Sequence, residues 1–313
     1  MPGPPTLVDR VRDTLWRLIV TTVGSCMRYR VTGLAAEAAF FAVLSIPPLI
    51  FALAGAIGIV SRQFSAAQVA DVQTELVELS RRALTESAVD KIIVPTLDQV
   101  LSEPRFDIIS IGFVLALWSG SRALNVFVDT ITIMHGLGGH RGIVKTRALS
   151  FGLYVLAMLT GALTVPLVVA GPSLVRPLVH RILPGQTDFV MSFYWPVVVV
   201  MCICYLATLY HVSVPVRTNW SFNLPGATFS LLVWIFGSYL LRWFLTVTAA
   251  DSASIYGPLA APIAVLLWLY LVAIAVLIGA AVNAAFDEVF PQNTTTRARL
   301  ELVQRLRERL PGR

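Results

Sequence analysis

The sequence predicts an all-α fold: a polytopic membrane helix bundle with six transmembrane helices, plus interfacial and extracytoplasmic amphipathic helices. Three observations carry that prediction. Only 13% of the 313 residues are charged and 56% are hydrophobic, whereas an ordinary soluble domain is about one quarter charged. The mean hydropathy of +0.75 is too high for a polar shell around one core. The apolar residues also gather into long runs, and about 20 such residues in helical form cross roughly 30 Å of hydrocarbon.

The elements follow in chain order. Residues 1–36 form an N-terminal segment in which Leu7, Val11, Leu15 and Leu18 recur at helical spacing between Arg10, Arg12 and Arg17. A basic amphipathic helix of this kind belongs in the headgroup layer. The first 30 residues hold five arginines and no long apolar run. No secretory signal is expected there, so targeting falls to the first span. The membrane domain covers 37–290, with spans at about 38–60, 106–134, 148–170, 190–210, 224–247 and 257–286. The segment 61–106 is the longest hydrophilic stretch and is expected to form two amphipathic helices outside the membrane. Residues 291–313 form a basic tail with Leu300, Val303, Leu306 and Leu310 on one face.

Charge sets the orientation, because short cytoplasmic segments are enriched in Lys and Arg. The two tails and the loops at 135–147 and 211–223 together hold 15 basic residues, against 7 in the remaining segments outside the spans. Both termini are therefore expected in the cytoplasm. The pI of 9.5 reflects this asymmetry rather than a nucleic-acid partner.

Polar residues inside spans are the candidates for function, since a charge at mid-helix costs about 2.5–3.5 kcal/mol on insertion scales and so faces the bundle or a wet cavity. Trp118, Arg122, Asn125 and Asp129 fall on one face of the second span and form a candidate polar pathway. The competing reading has Arg122 snorkelling to the interface with Asp129 at the helix exit. Asp129 lies too far along for an ideal pair with Arg122, although a water could bridge them. Ser45, Pro47 and Pro48 form a candidate helix break: both prolines lack an N–H, which frees the carbonyls of Val43 and Leu44. Ala275, Gly279 and Asn283, four residues apart, form a candidate helix-packing stripe, with small residues for close approach and an amide for a cross-helix bond.

Catalytic and metal signatures are not expected. His135, His140, His180 and His211 have no metal-ligand spacing, and Cys26, Cys202 and Cys204 make no framework. The glycines at 136, 138 and 139 are not followed by the Lys-Ser/Thr of a phosphate-binding loop. No cofactor is implied.

Several ordered segments carry a resemblance. They are Ala38-Ala39-Phe40-Phe41 with Leu44-Ser45 and Pro47, then Leu117-Trp118-Ser119 to Arg122 and Asn125, and Pro225-Gly226-Ala227. Tyr256-Gly257-Pro258-Leu259 follows, with Leu267-Trp268-Leu269-Tyr270 and Gly279-Ala280 to Asn283. In this order and spacing the chain resembles the YihY/virulence factor BrkB family over about residues 15–290. The resemblance implies a six-span protein of the bacterial inner (cell) membrane. It supplies no catalytic residues. Some members carry the label "ribonuclease BN", and the lack of a metal-ligand cluster in this sequence makes that label an expected misassignment. The chain departs from many relatives after Asp129, where it reads Thr130-Ile131-Thr132-Ile133-Met134. The expected function is handling or transport of a lipid or small amphipathic or anionic solute across the envelope. The alternative is a non-transporting scaffold for envelope partners. Expected partners are membrane lipids, a lipid or small-solute substrate and a homo-oligomeric copy, with no nucleic acid.

Overall fold

The structure is a computed structural model that describes residues 7–61, 106–170, 187–251 and 260–308, except 217 and 292, together with a few single positions between them. Among the described residues there is no strand. The helices are α1 (Leu7–Arg28), α2 (Val31–Ser61), α3 (Phe106–Met134), α4 (Ile143–Ala170) and α5 (Thr187–Ser192). They continue with α6 (Tyr194–Ser213), a 3-10 turn (Trp220–Asn223), α7 (Leu224–Asp251), α8 (Ala260–Val289) and α9 (Asn293–Glu308). The helices expected within 61–106 lie outside the described residues.

The chain divides into two compact units, residues 1–41 with 121–313 and residues 42–120. In the larger unit α7 packs along α8, α1 lies against α8, and α6 touches both α7 and α4. Much of the outward surface is apolar: Phe236, Tyr239, Leu159 and Trp243 are all strongly exposed. Water would not tolerate so large an apolar surface, but hydrocarbon does. Among the described residues four helices are long and apolar enough to cross a membrane, those containing 143–161, 194–213, 220–247 and 263–289. A fifth is reached if α1 and residues 31–46, which meet at 60°, count as one bent span.

The sequence explains where these helices stop. Two residues past the end of α1, Arg30 has a φ of 51°, the left-handed conformation usual just after a helix C-terminus but seldom held by a side chain larger than Asn. α3 ends in a Schellman motif. Gly136, at φ 70°, donates its N–H to Ile133 O, and Leu137 N–H reaches back to Thr132 O. Leu137 is fully buried, supplying the apolar contact that accompanies this motif.

The prolines behave less uniformly than their number suggests. Pro196, Pro225 and Pro262 fall in the first turns of α6, α7 and α8. The first N–H groups of a helix have no intrahelical partner, so a proline there removes nothing. In the region of the span expected over about 190–210, containing Pro196, the long helix begins at Tyr194, after a separate short α5. α2 keeps its helical assignment through Pro47 and Pro48. The Ser45 hydroxyl donates to Ala42 O at 2.7 Å.

Candidate functional site

Two polar regions lie in the larger unit. The first is the middle and end of α3. Arg122 is half-buried, and its guanidinium carbon lies 4.8 Å from the centre of the Phe41 ring, a cation–π contact. Among the described residues it pairs with no carboxylate. Asn125, one turn on, donates from Nδ2 to Asp129 Oδ2 at 2.8 Å. Its Oδ1 receives the Ser150 hydroxyl of α4 at 3.4 Å. Asp129 is thus tied to Asn125 along the helix, and no direct Arg122–Asp129 ion pair forms. Trp118 is more than half exposed.

The second region closes one end of the bundle, where α3, α6 and α8 finish and α7 begins. Asp287, near the end of α8, is 6% exposed. Its Oδ2 receives Arg299 Nη2 of α9 at 2.7 Å, and its Oδ1 receives the Thr295 hydroxyl at 2.9 Å. Arg299 also donates from Nε to the carbonyl of His135 at 2.8 Å, so one guanidinium ties α9 and α8 to the end of α3. Arg141 does similar work for α6. Its guanidinium donates to the carbonyls of Val212, Ser213 and Val214 at 2.9, 3.2 and 3.1 Å. These are terminal carbonyls of a helix, which otherwise need water or a cap, and the cation also suits the negative end of the helix dipole. Thr132 adds a direct bond from α3 to Ser213 O at 3.0 Å.

His135 sits inside this junction. Its Nδ1 lies 2.8 Å from Ile131 O. A carbonyl only accepts, so Nδ1 carries the proton. Burial holds the imidazole below its ordinary value, against the pull of its bond to Ile131 O and of nearby Asp287, while the Arg299 charge adds to the lowering. The unfolded chain then binds a proton more readily than the folded one. Stability is complete above the unfolded value of about 6.5 and falls as the pH drops from there toward the folded value. Thermal unfolding in detergent should show a lower midpoint at pH 5 than at pH 7.5. His135→Asn should flatten that dependence. An equal pH dependence in wild type and variant would exclude His135 as its source.

The α7–α8 seam joins this end to the bundle centre. Gly226 N donates to Asn283 Oδ1 at 2.8 Å, and Asn283 Nδ2 donates to Asn223 O at 3.2 Å. Deeper in, the Ser230 hydroxyl donates to Ala275 O at 2.8 Å, and the Tyr210 hydroxyl of α6 donates to Val276 O at 2.7 Å. Ala275, Gly279 and Asn283 thus all face α7, with Gly279 backed against Gly226 and Ser230. A polar cavity of about 10 Å³ lies beside them, lined by His135, Thr218, Asn223, Asn283 and Asp287 among others. That is near the volume of about 10–15 Å³ that one water needs.

Sequence pattern alone does not single out Arg141, Asp287, Thr295 or Arg299. Arg141 and Arg299 contribute there only to the charge count. A usable signal exists for Asp287: an acid at the end of a long apolar helix, one turn beyond Asn283, with basic residues soon after. Among the described residues no three His, Cys, Asp or Glu side chains come close enough to hold a metal ion.

These features define a multi-pass α-helical membrane protein whose polar groups tie helix ends and cross-helix seams. The sequence profile of the family described as Virulence factor BrkB matches residues 22–301, and the chain belongs to that family. Among curated proteins it is similar to the putative ribonuclease-like protein YfkH of Bacillus subtilis (strain 168). The two are 26% identical over 255 residues, covering 80% of this chain and 88% of that protein. No solved structure matches.

Proposed function

We propose that this protein moves or handles an anionic lipid or small amphipathic anion across the bacterial inner membrane, using the polar face of α3. The observation that carries the reading is Arg122: a half-buried cation in an apolar helix, with an aromatic ring beside it and no carboxylate partner among the described residues. A cation so placed favours an anionic group brought by a ligand. Asn125 and Ser150 extend the polar face one turn further.

The reading takes α2 and α3 as spans in addition to the four clear ones. Their 31 and 29 residues give lengths of roughly 45 Å at 1.5 Å per residue, ample for a bilayer. Six spans leave both termini on one side, and the basic loops favour the cytoplasm for that side.

Reconstitution into liposomes tests the proposal. With a fluorescent anionic phospholipid or an amphipathic anion as probe, Arg122→Ala should lower flux at least tenfold, and Arg122→Lys should retain part of it. Flux of every probe at the wild-type rate in Arg122→Ala would remove Arg122 from the mechanism.

A further inference from the structure

α1 does not seal against α8 along its whole length. Between them, with the start of α2 and one side of α7, lies a groove of about 650 Å³. That is within the range of about 300–1,000 Å³ usual for small-molecule sites. Ile19 and Val23 of α1, Phe229 of α7, and Ile274 and Ile278 of α8 form its walls. Val23 and Met27 remain 55% and 76% exposed despite their place in the lining. The lining contains no acidic residue and one basic residue, Arg30. Arg30 is the residue in the left-handed conformation that turns the chain from α1 into α2. A non-glycine residue held there is strained, and such strain collects at ligand sites. Among the described residues it has no ion-pair partner.

We propose that this groove seats a phospholipid, with an acyl chain along α1 and α8 and the anionic headgroup phosphate at Arg30. The charge pattern selects this occupant. A long apolar wall with one cation at the chain's turn complements an acyl chain with a phosphate at its end. The site shares no residue with the polar face of α3, and it stands whether or not that face conducts a substrate.

The test is native mass spectrometry of the full chain released from nanodiscs of equal phosphatidylglycerol and phosphatidylcholine. Wild type and the control Arg28→Gln should each retain a phosphatidylglycerol molecule in preference to phosphatidylcholine. Arg30→Gly keeps the turn that the left-handed backbone needs and removes the charge, so the preference should fall at least fivefold. Val23→Trp fills the groove from an exposed position without displacing a packed side chain, and the bound lipid should be lost while helical circular dichroism is unchanged. Arg122→Ala should leave binding as in wild type. Equal phosphatidylglycerol retention in wild type, Arg30→Gly and Val23→Trp would overturn the proposal. So would a Val23→Trp protein that changes its oligomeric mass and not its lipid content, which would assign the groove to a second copy.

Discussion

Replacing Arg299 with alanine is expected to destabilise the protein by about 3 kcal/mol, the low end of the range for removing one partner of a buried pair. The cost arises mainly on the other side of the bond. The Asp287 side chain is 7% exposed, and without Arg299 its buried charge loses the guanidinium that neutralises it, while the Thr295 hydroxyl remains. The bond from Arg299 to the His135 carbonyl is lost as well, so the end of α3 loosens from α9. Lysine should recover part of the loss, since a single ammonium cannot reproduce both bonds with the geometry of a planar guanidinium. The double variant Asp287→Leu with Arg299→Met should be more stable than Arg299→Ala alone, because it removes both charges together. Thermal unfolding in detergent measures all of these. A midpoint for Arg299→Ala within a degree or two of wild type would show that the ion pair does not hold the junction.

The α7–α8 seam should be at least as sensitive. A Cβ at Gly279 would run into the Ser230 hydroxyl and the Gly226 backbone, and one at Gly226 would run into the Gly279 carbonyl and the Asn283 amide. Neither obstacle is the free end of a flexible chain: Ser230 is bonded to Ala275 O and Asn283 to Gly226 N. Gly279→Ala should therefore cost about 3 kcal/mol, the upper end of the usual penalty for overpacking. Gly279→Val should not yield monodisperse protein. Asn283→Ala removes two cross-helix bonds but adds no bulk. At roughly 0.6 kcal/mol per bond in a membrane it should be the milder lesion, at about 1 kcal/mol. Size-exclusion profiles and melting curves of the three variants would check this order. Gly279→Ala melting above Asn283→Ala would contradict the tight-seam account.

The helices were legible because length and apolarity are written directly in the residues. The long helices over 106–134, 143–170 and 224–251 need only hydrophobic content to be found. The prolines were harder. Their effect depends on helix register, and a proline in a first turn reads like an interior one until the start of the helix is known. At the candidate site, same-face spacing brought out Trp118, Arg122, Asn125 and Asp129, because residues three and four apart share a face. It could not say which of them bond. Asn125 takes Asp129, while Arg122 turns to Phe41 on a different helix, far away in the chain. Apart from the acid at the end of α8, the bundle-end junction was invisible for the same reason. Arg299 meets the His135 carbonyl across 164 residues, and no local pattern marks a bond between a side chain and a distant helix terminus.

One guanidinium on α9 fastens the end of α3, made 164 residues earlier, to that of α8, made just before it, and this bears on how the protein is made. Arg299 leaves the ribosome long after α3, so the end of α3 must wait, untied, until translation reaches it. Asp287 precedes Arg299 by only 12 residues, so the ion pair can close as soon as both have emerged. A nascent chain stalled before Arg299 would therefore present to quality-control proteases an open bundle end that the completed chain conceals.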